Sequence, residues 1–319
     1  MGKKIMVPNH TEHINVLRDI NNKKKYSVVK NDNILIKKEP EALAVGGARV
    51  RTNTEEKLLD VLKKLNPTGQ KAFFYIVNKA IKQNYTTDFF EVDMNELLGI
   101  LGLARKSDSI NRLIEYLDNL KDISFYAKLE IFDRANKKRS DKPTMTRTGY
   151  SSLLTDVDRV TKGRKTIAIR VRLGVWMEYL KETRELGYAQ LLTLPIDCLR
   201  VDTKHFPYSF GVPYYMAVHA RRNSRHNRDW EVLTLKEAIK GTEPWEETEK
   251  KIKLYGFNHK NGRSFIERFT QSLEHAETHF NFQWEWVGKE PETLQEAREA
   301  KIKFRFLEPL KNEKESAKA

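Results

Sequence analysis

Two stretches of this chain, roughly residues 54–132 and 208–307, repeat one order of patterns: a helical stripe, a short helix, a second amphipathic helix, then alternating runs. Apolar residues recurring every three to four positions bury one face of a helix, and strict alternation buries one face of a strand. An order that occurs twice therefore requires two small mixed cores. A length of 319 residues accommodates about two domains. Fifteen Phe and twelve Tyr within a hydrophobic share of 39% supply apolar volume for both, which excludes a disordered polyelectrolyte. The expected class is α+β.

In the first repeat Thr54 opens a helix with Leu58, Leu62 and Leu65 on one stripe, and Asn66-Pro67 ends it while starting the next. Residues 68–83 place Phe73, Ile76, Val77 and Ala80 on one face, 89–92 read as a short strand, and Asp93 caps a helix over 94–101. Ser107 and Ser109 offer a fresh N-cap for a helix whose core stripe is Ile110, Leu113, Ile114, Leu117 and Leu120. Its other face, Asn111, Arg112, Glu115, Asp118 and Asn119, is nearly balanced in charge and better suited to protein contact than to phosphate. Residues 123–132 alternate as a wing strand; beyond a polar loop, 151–160 and 165–173 read as a hairpin around Thr161-Lys162-Gly163.

The second repeat opens with a mostly buried helix over 208–222, a strand at 229–233, and Thr234 capping 235–240. After an acidic insert, 243–249, a helix begins near Arg263 with Ile266, Phe269, Leu273, Ala276 and Phe280 on one narrow face. Arg263, Glu267, Arg268, Gln271 and His275 lie on the other, and residues 282–287 and 302–307 form two wing strands. Between the repeats, 175–184 reads as helix, while the apolar stretch 189–199, broken at Pro195, reads equally as helix or strand. Helix, helix-turn-helix and hairpin in this order is the winged-helix plan. The expected organisation is an irregular N-terminal extension (1–53), a first winged-helix domain (54–186), a second (187–310), both with β-hairpin wings, and a charged tail (311–319). Within the extension, 26–29 and 34–37 are short β-like runs and 46–51 a flexible basic arm; it reads either as an arm reaching along DNA or packing on the first domain, or as a solvated leader.

Charge points to the partner. With 58 Lys and Arg against 44 Asp and Glu, the formal net charge of +14 favours polyanions. Arg159, Lys162, Arg164, Lys165 and Arg170 crowd the first hairpin, and Arg221, Arg222, Arg225 and Arg228 crowd the end of the second repeat's first helix. Arg164, Lys165, Arg222 and Arg225 are the candidate phosphate contacts. Arg263, Arg268 and Gln271 are the candidate base readers, because a helix in the major groove turns such side chains toward base edges.

Catalytic motifs are missing. Gly163-Arg164-Lys165-Thr166 ends like a phosphate loop, but Arg164 intervenes and Asp158 stands where the earlier glycine belongs. His275 and His279 have a zinc-compatible spacing without an evident third ligand, and His10 and His13 lie in the irregular extension. No catalytic residue, metal or cofactor is expected. Cys198, the one cysteine, excludes an intramolecular disulfide and reads as a small core residue. No stretch approaches ~18 consecutive apolar residues and no apolar signal core opens the chain, so no membrane span and a cytoplasmic location are expected.

Leu58-Leu59-Asp60-Val61-Leu62, Phe73-Phe74-Tyr75-Ile76, Met94-Asn95-Glu96-Leu97-Leu98-Gly99 and Ser109-Ile110-Asn111-Arg112-Leu113, with Phe265-Ile266-Glu267-Arg268-Phe269 ahead of a wing, resemble the plasmid replication initiators built from two winged-helix domains. The resemblance spans most of residues 54–307. It implies a non-enzymatic protein that binds repeated duplex sites at a replication origin, reads them with the second domain, dimerises through the first and recruits host replication proteins. The loop 133–149 and the insert 243–249 depart from that pattern. A winged-helix transcriptional repressor is the second expectation, and a DNA nickase or recombinase the third.

Overall fold

Strand β1 (Lys4–Pro8) pairs antiparallel with Leu191–Pro195, nearly two hundred residues away, with Ile5 opposite Leu194 and both fully buried. The structure, a computed structural model, describes residues 4–8, 27–29, 34–37, 48–50, 67–131, 145–185, 191–223, 229–243, 245–255, 264–308 and 310. The chain divides into two units: an N-proximal unit of His10–Gly99 and Leu103–Gln190, and a C-terminal unit of Met1–Asn9, Ile100–Gly102 and Leu191–Ala319. The start of the chain, expected to be irregular, thus supplies a strand to the C-terminal unit. Lys4 extends that attachment with an ion pair to Glu308 at 2.8 Å.

In the N-proximal unit β2 (Ser27–Val29), β3 (Ile34–Lys37) and β4 (Ala48–Val50) are strands, so residues 48–50 of the expected basic arm are sheet. The helix expected over 54–66 lies outside the described residues. Helix α1 (Pro67–Lys82) starts at a proline whose missing N–H costs nothing in the first turn. It is buried nearly all round, by Ala72, Phe73, Phe74, Tyr75, Ile76, Val77, Ala80 and Ile81, which makes it the central helix of its unit. β5 (Phe90–Asp93) runs straight into α2 (Met94–Ile100), where Asp93 Oδ1 accepts the Glu96 N–H at 2.8 Å, the expected cap. Helix α3 (Ser107–Asn119) begins differently from expectation: its N-cap is Lys106, with no side-chain cap hydrogen bond. α3 approaches α1 through Gly69, where an added Cβ would lie 1.9 Å from the Tyr116 ring.

After a 3₁₀ turn at Leu120–Asp122 comes the main departure from the sequence reading. β6 (Ile123–Ile131) pairs with β7 (Met145–Ser152) and β4 in a five-stranded sheet of order β2-β3-β4-β6-β7, so it is not a wing strand. The hairpin that follows α3 in space is β8 (Leu154–Lys162) with β9 (Lys165–Leu173), in a three-stranded antiparallel sheet of order β5-β9-β8. α4 (Trp176–Glu185) closes the unit, with the Trp176 indole N–H donating to the Leu153 carbonyl at 3.1 Å.

The ambiguous stretch before the C-terminal unit resolves into β10 (Leu191–Pro195) and a 3₁₀ turn (Ile196–Arg200) that buries Cys198 completely. Helix α5 (Gly211–Asn223) packs on α6 (Leu235–Ile239) through two glycines: a Cβ on Gly211 would stand 2.5 Å from the Gly241 carbonyl oxygen, and one on Gly241 2.2 Å from that of Gly211. Between them β11 (Glu231–Thr234) ends in a capping box, Thr234 Oγ1 accepting from the Glu237 N–H at 3.2 Å. The acidic insert is largely helix α7 (Trp245–Tyr255), held down where Glu249 accepts Arg298 Nε at 2.7 Å and where Glu243 pairs with Lys251.

Helix α8 (Phe265–Phe280) starts in a second capping box, Ser264 with Glu267, and stops at Asn281, whose left-handed φ of 54° turns the chain into β12 (Phe282–Trp286). α9 (Leu294–Glu299) and β13 (Lys301–Phe306) complete a three-stranded antiparallel sheet of order β11-β13-β12. Phe269, Leu273, Ala276 and Phe280 of α8 are fully buried, as the stripe predicts, and the Phe280 ring lies 5.9 Å from that of Phe210 and 6.5 Å from that of Phe282. The fold is α+β with small antiparallel sheets. With β6 and β7 interposed in the N-proximal unit, and α7 and α9 in the C-terminal unit, both units contain helix, strand, short helix, longer helix and two strands in that order, and in both three-stranded sheets the third of these strands lies between the first and second. No helix among the described residues is long and apolar enough to cross a membrane.

Candidate nucleic-acid interface

The N-proximal unit presents α3 and the β8–β9 hairpin. Ile110, Leu113, Ile114 and Leu117 bury one side of α3, which leaves Asp108, Asn111, Arg112, Glu115 and Asp118 exposed. Exposed Arg105 and Lys106 precede the helix and shift its first turn toward positive charge. The hairpin is tied to this surface by Arg159, whose Nη1 donates to Asn111 Oδ1 at 3.1 Å. Its tip is a two-residue turn, Gly163-Arg164, in which Gly163 adopts φ +62°, a conformation that costs glycine little. Lys162 and Lys165 are cross-strand partners, so three cations, Lys162, Arg164 and Lys165, crowd one exposed tip. None makes an ion pair among the described residues. Like charges directly opposite on a hairpin destabilise it, and an anion at the tip relieves the repulsion.

The C-terminal unit presents α8 differently. Arg268 is exposed on the face opposite Phe269 and Leu273. Gln271 shares that surface, but its Nε2 donates to Glu267 Oε1 at 3.2 Å and its Oε1 is buried without a partner. To read an adenine it has to release Glu267, which also accepts the Ser264 backbone N–H at 3.3 Å. Glu267, Glu274 and Glu277 outnumber Arg268 along the described helix. Of the other expected contacts, Arg222 lies in α5 but its side chain is outside the described residues, as are Arg225 and Arg263 altogether. Arg164 and Lys165 therefore lie together at one hairpin tip, and Arg268 and Gln271 together on one helix, in separate units.

His275 and His279 turn toward their own unit. The His275 ring stacks on Phe206 with centroids 4.3 Å apart, and its Nε2 accepts the Asp202 N–H at 3.1 Å. His279 Nδ1 lies 3.2 Å from the Asp197 carbonyl oxygen, in reach to donate to it. Their rings are 5.0 Å apart, and among the described residues no group of three metal-ligating side chains gathers. The capping role of Glu237 shows in its acidity: hydrogen bonds from the Thr234 backbone and hydroxyl hold it below the usual carboxylate range. Burial pushes the Tyr208 phenol far up, with Glu243 adding to the effect.

Sequence reasoning missed Arg105, Lys106 and the tie between Arg159 and Asn111. The adjacent basic pair before Ser107 was a legible signal; the Arg159 contact was not, because forty-eight residues separate its partners.

No family model matches the chain, and no curated protein matches it. Among solved structures, a selenomethionine crystal structure of domains 2 and 3 of RctB aligns over 93% of this chain and 99% of its own, at 8% identity and a TM-score of 0.49. A second crystal structure of RctB domains 2–3 aligns over 94% of this chain and 99% of its own, at 10% identity and a TM-score of 0.44. At these values the likeness assigns no function.

Proposed function

We propose that this chain is a sequence-specific, double-stranded DNA-binding protein made of two winged-helix domains, acting as a replication initiator at repeated origin sites of a plasmid or similar replicon. The observation that carries the DNA-binding part is the twice-repeated element order with strand order first, third, second, one copy of which ends in the exposed cationic tip Lys162, Arg164 and Lys165. In a winged helix the longer helix enters the major groove while the hairpin follows the backbone, so α3 and α8 are the groove elements and the β8–β9 tip meets phosphates. Arg268 and Gln271, with Arg263, are the base readers, and Arg164 and Lys165, with Arg222 and Arg225, hold the backbone. The initiator part rests on the resemblance of the residue patterns around Leu58, Phe73, Met94, Ser109 and Phe265. Host replication proteins and a homodimer through the first domain belong to the same reading. No catalytic step belongs to it.

Selection of binding sites from random duplexes tests the reading directly. Directly repeated sites support initiation, a single palindrome favours a repressor, and no enrichment removes the proposal. Log affinity should fall with log salt at a slope steeper than about −4, as at least five released counterions require. Relaxed or covalently attached product on supercoiled DNA with magnesium would instead make the chain a nickase or recombinase.

A further inference from the structure

Both three-stranded sheets carry the same constellation on the face turned away from the core. Phe89, just before β5, lies under Arg170 and Arg172, whose guanidinium carbons are 4.5 and 5.9 Å from its ring centre. Trp230, just before β11, lies under Lys303 at 5.0 Å and Arg305 at 4.8 Å. The ring in each case precedes the first strand, and the two cations stand two residues apart on the third. The flanks differ. Around Phe89, Glu91 and Asp158 face Arg170 across the ladder and Asp156 faces Arg172, so carboxylates outnumber cations.

Around Trp230 the balance reverses. β13 alternates Lys301, Lys303 and Arg305 outward against Ile302, Phe304 and Phe306 inward. Glu285 pairs with Lys303 at 2.6 Å, Gln283 accepts Arg305 Nη2 at 2.7 Å, and Lys301 makes no ion pair among the described residues. One carboxylate therefore faces three cations. Trp230 is 39% exposed, and Val232, across from Lys303, is 50% exposed. Cations at every second residue of a strand recur at about 6.6 Å, a row that follows an extended anionic backbone.

We infer that the outer face of the β11-β13-β12 sheet binds single-stranded DNA, with a base stacked on Trp230 and phosphates on Lys301, Lys303 and Arg305. A duplex keeps its base faces stacked inside the helix, whereas a single strand offers a planar face and a flexible backbone to such a platform. The Phe89 sheet, neutralised by its own carboxylates, is the internal control in which the same ring and cations serve the sheet alone. The choice of DNA as the strand rests on the duplex-binding reading above; the stacking site does not.

The test uses the full chain and fluorescein-labelled oligothymidine of about 12 nucleotides, within the span one such surface covers. Anisotropy at moderate salt is compared for the unaltered protein, Trp230→Ala, Trp230→Phe, Lys301→Glu and Phe89→Ala, with a selected duplex and an oligouridine measured alongside. Trp230→Ala should weaken oligothymidine binding about five- to a hundredfold, the loss of one stacked base, and Trp230→Phe by less. Lys301→Glu, on an exposed side chain, should weaken it without disturbing the fold, and Phe89→Ala should leave it unchanged. Duplex affinity should hold in all four variants. Equal oligothymidine binding by Trp230→Ala or Lys301→Glu and the unaltered protein overturns the inference, as does parallel loss of duplex binding or tighter binding of oligouridine. Trp230-dependent oligothymidine binding without any duplex binding removes the duplex reading and leaves this one standing.

Discussion

The two repeats share their order of elements and their strand order, yet they distribute charge in opposite ways. In the N-proximal repeat the exposed cations Lys162, Arg164 and Lys165 gather at the β8–β9 tip, while its outer sheet face is self-neutralised by Glu91, Asp156 and Asp158. The C-terminal repeat has the reverse arrangement, with a carboxylate-rich α8 and three cations on the outer face of β13. One scaffold thus places positive charge either at the hairpin tip or on the sheet face, because both are solvent positions that the core does not constrain.

The strongest way to test whether the repeats are energetically separate is Phe269→Ala. Phe269 is fully buried, with its ring 5.7 Å from Tyr208, 6.3 Å from Trp284 and 5.8 Å from Trp286, and truncation should cost about 3–5 kcal/mol. Hydrogen exchange should show lost protection in α8 and β12 with α1 protected as before; equal loss in α1 would make the two cores one cooperative unit.

Next in size is the contrast between reading and holding. Arg268→Ala should remove about 1–3 kcal/mol of discrimination at one or two base positions while leaving non-specific affinity nearly intact. Equal loss on cognate and random duplexes would make α8 a phosphate-contacting or structural helix and shift base reading to α3. Gln271→Ala should have the smaller effect of the two, since its amide is already engaged with Glu267.

Arg164→Ala with Lys165→Ala sharpens the comparison from the other side. All sequences should weaken alike, and the salt slope should become shallower by up to about 2, one counterion for each lost contact. An unchanged slope would leave the cationic tip without a role in DNA binding.

The smallest expected effect concerns the capping box of α6. Thr234→Ala should cost about 1 kcal/mol by urea denaturation at neutral pH. Glu237 is held below its ordinary pKa first by the backbone N–H of residue 234, which alanine keeps, and then by the Thr234 hydroxyl, which it removes; the hydroxyl's share is present above the unfolded value of about 4.3 and is lost as pH falls through the lowered folded value. The difference between Thr234→Ala and the unaltered protein should therefore shrink below about pH 4; a constant difference would leave the cap hydroxyl alone as the source of stability.

Much of each repeat was legible because it is local. The stripe Ile266, Phe269, Leu273, Ala276 and Phe280 buries as its spacing requires, and Asp93 and Thr234 cap the helices they precede. Cys198 is core, as a lone cysteine in an apolar run should be. The same reasoning placed a wing at residues 123–132, because alternation identifies a strand and says nothing of its partner. It also treated the first fifty residues as an extension, since β-pairing between Ile5 and Leu194 leaves no periodic trace.

The sequence by itself determined the α+β class, the buried stripes and the positive balance, all of which follow from residue types at fixed spacing. Only the tertiary structure decided which hairpin belongs to which helix, that β1 serves the C-terminal unit, that Gln271 is tied to Glu267 and that Trp230 lies under Lys303 and Arg305. Strand partners and side-chain contacts join residues far apart in the chain, and periodicity records which face of an element is buried without recording what it is buried against.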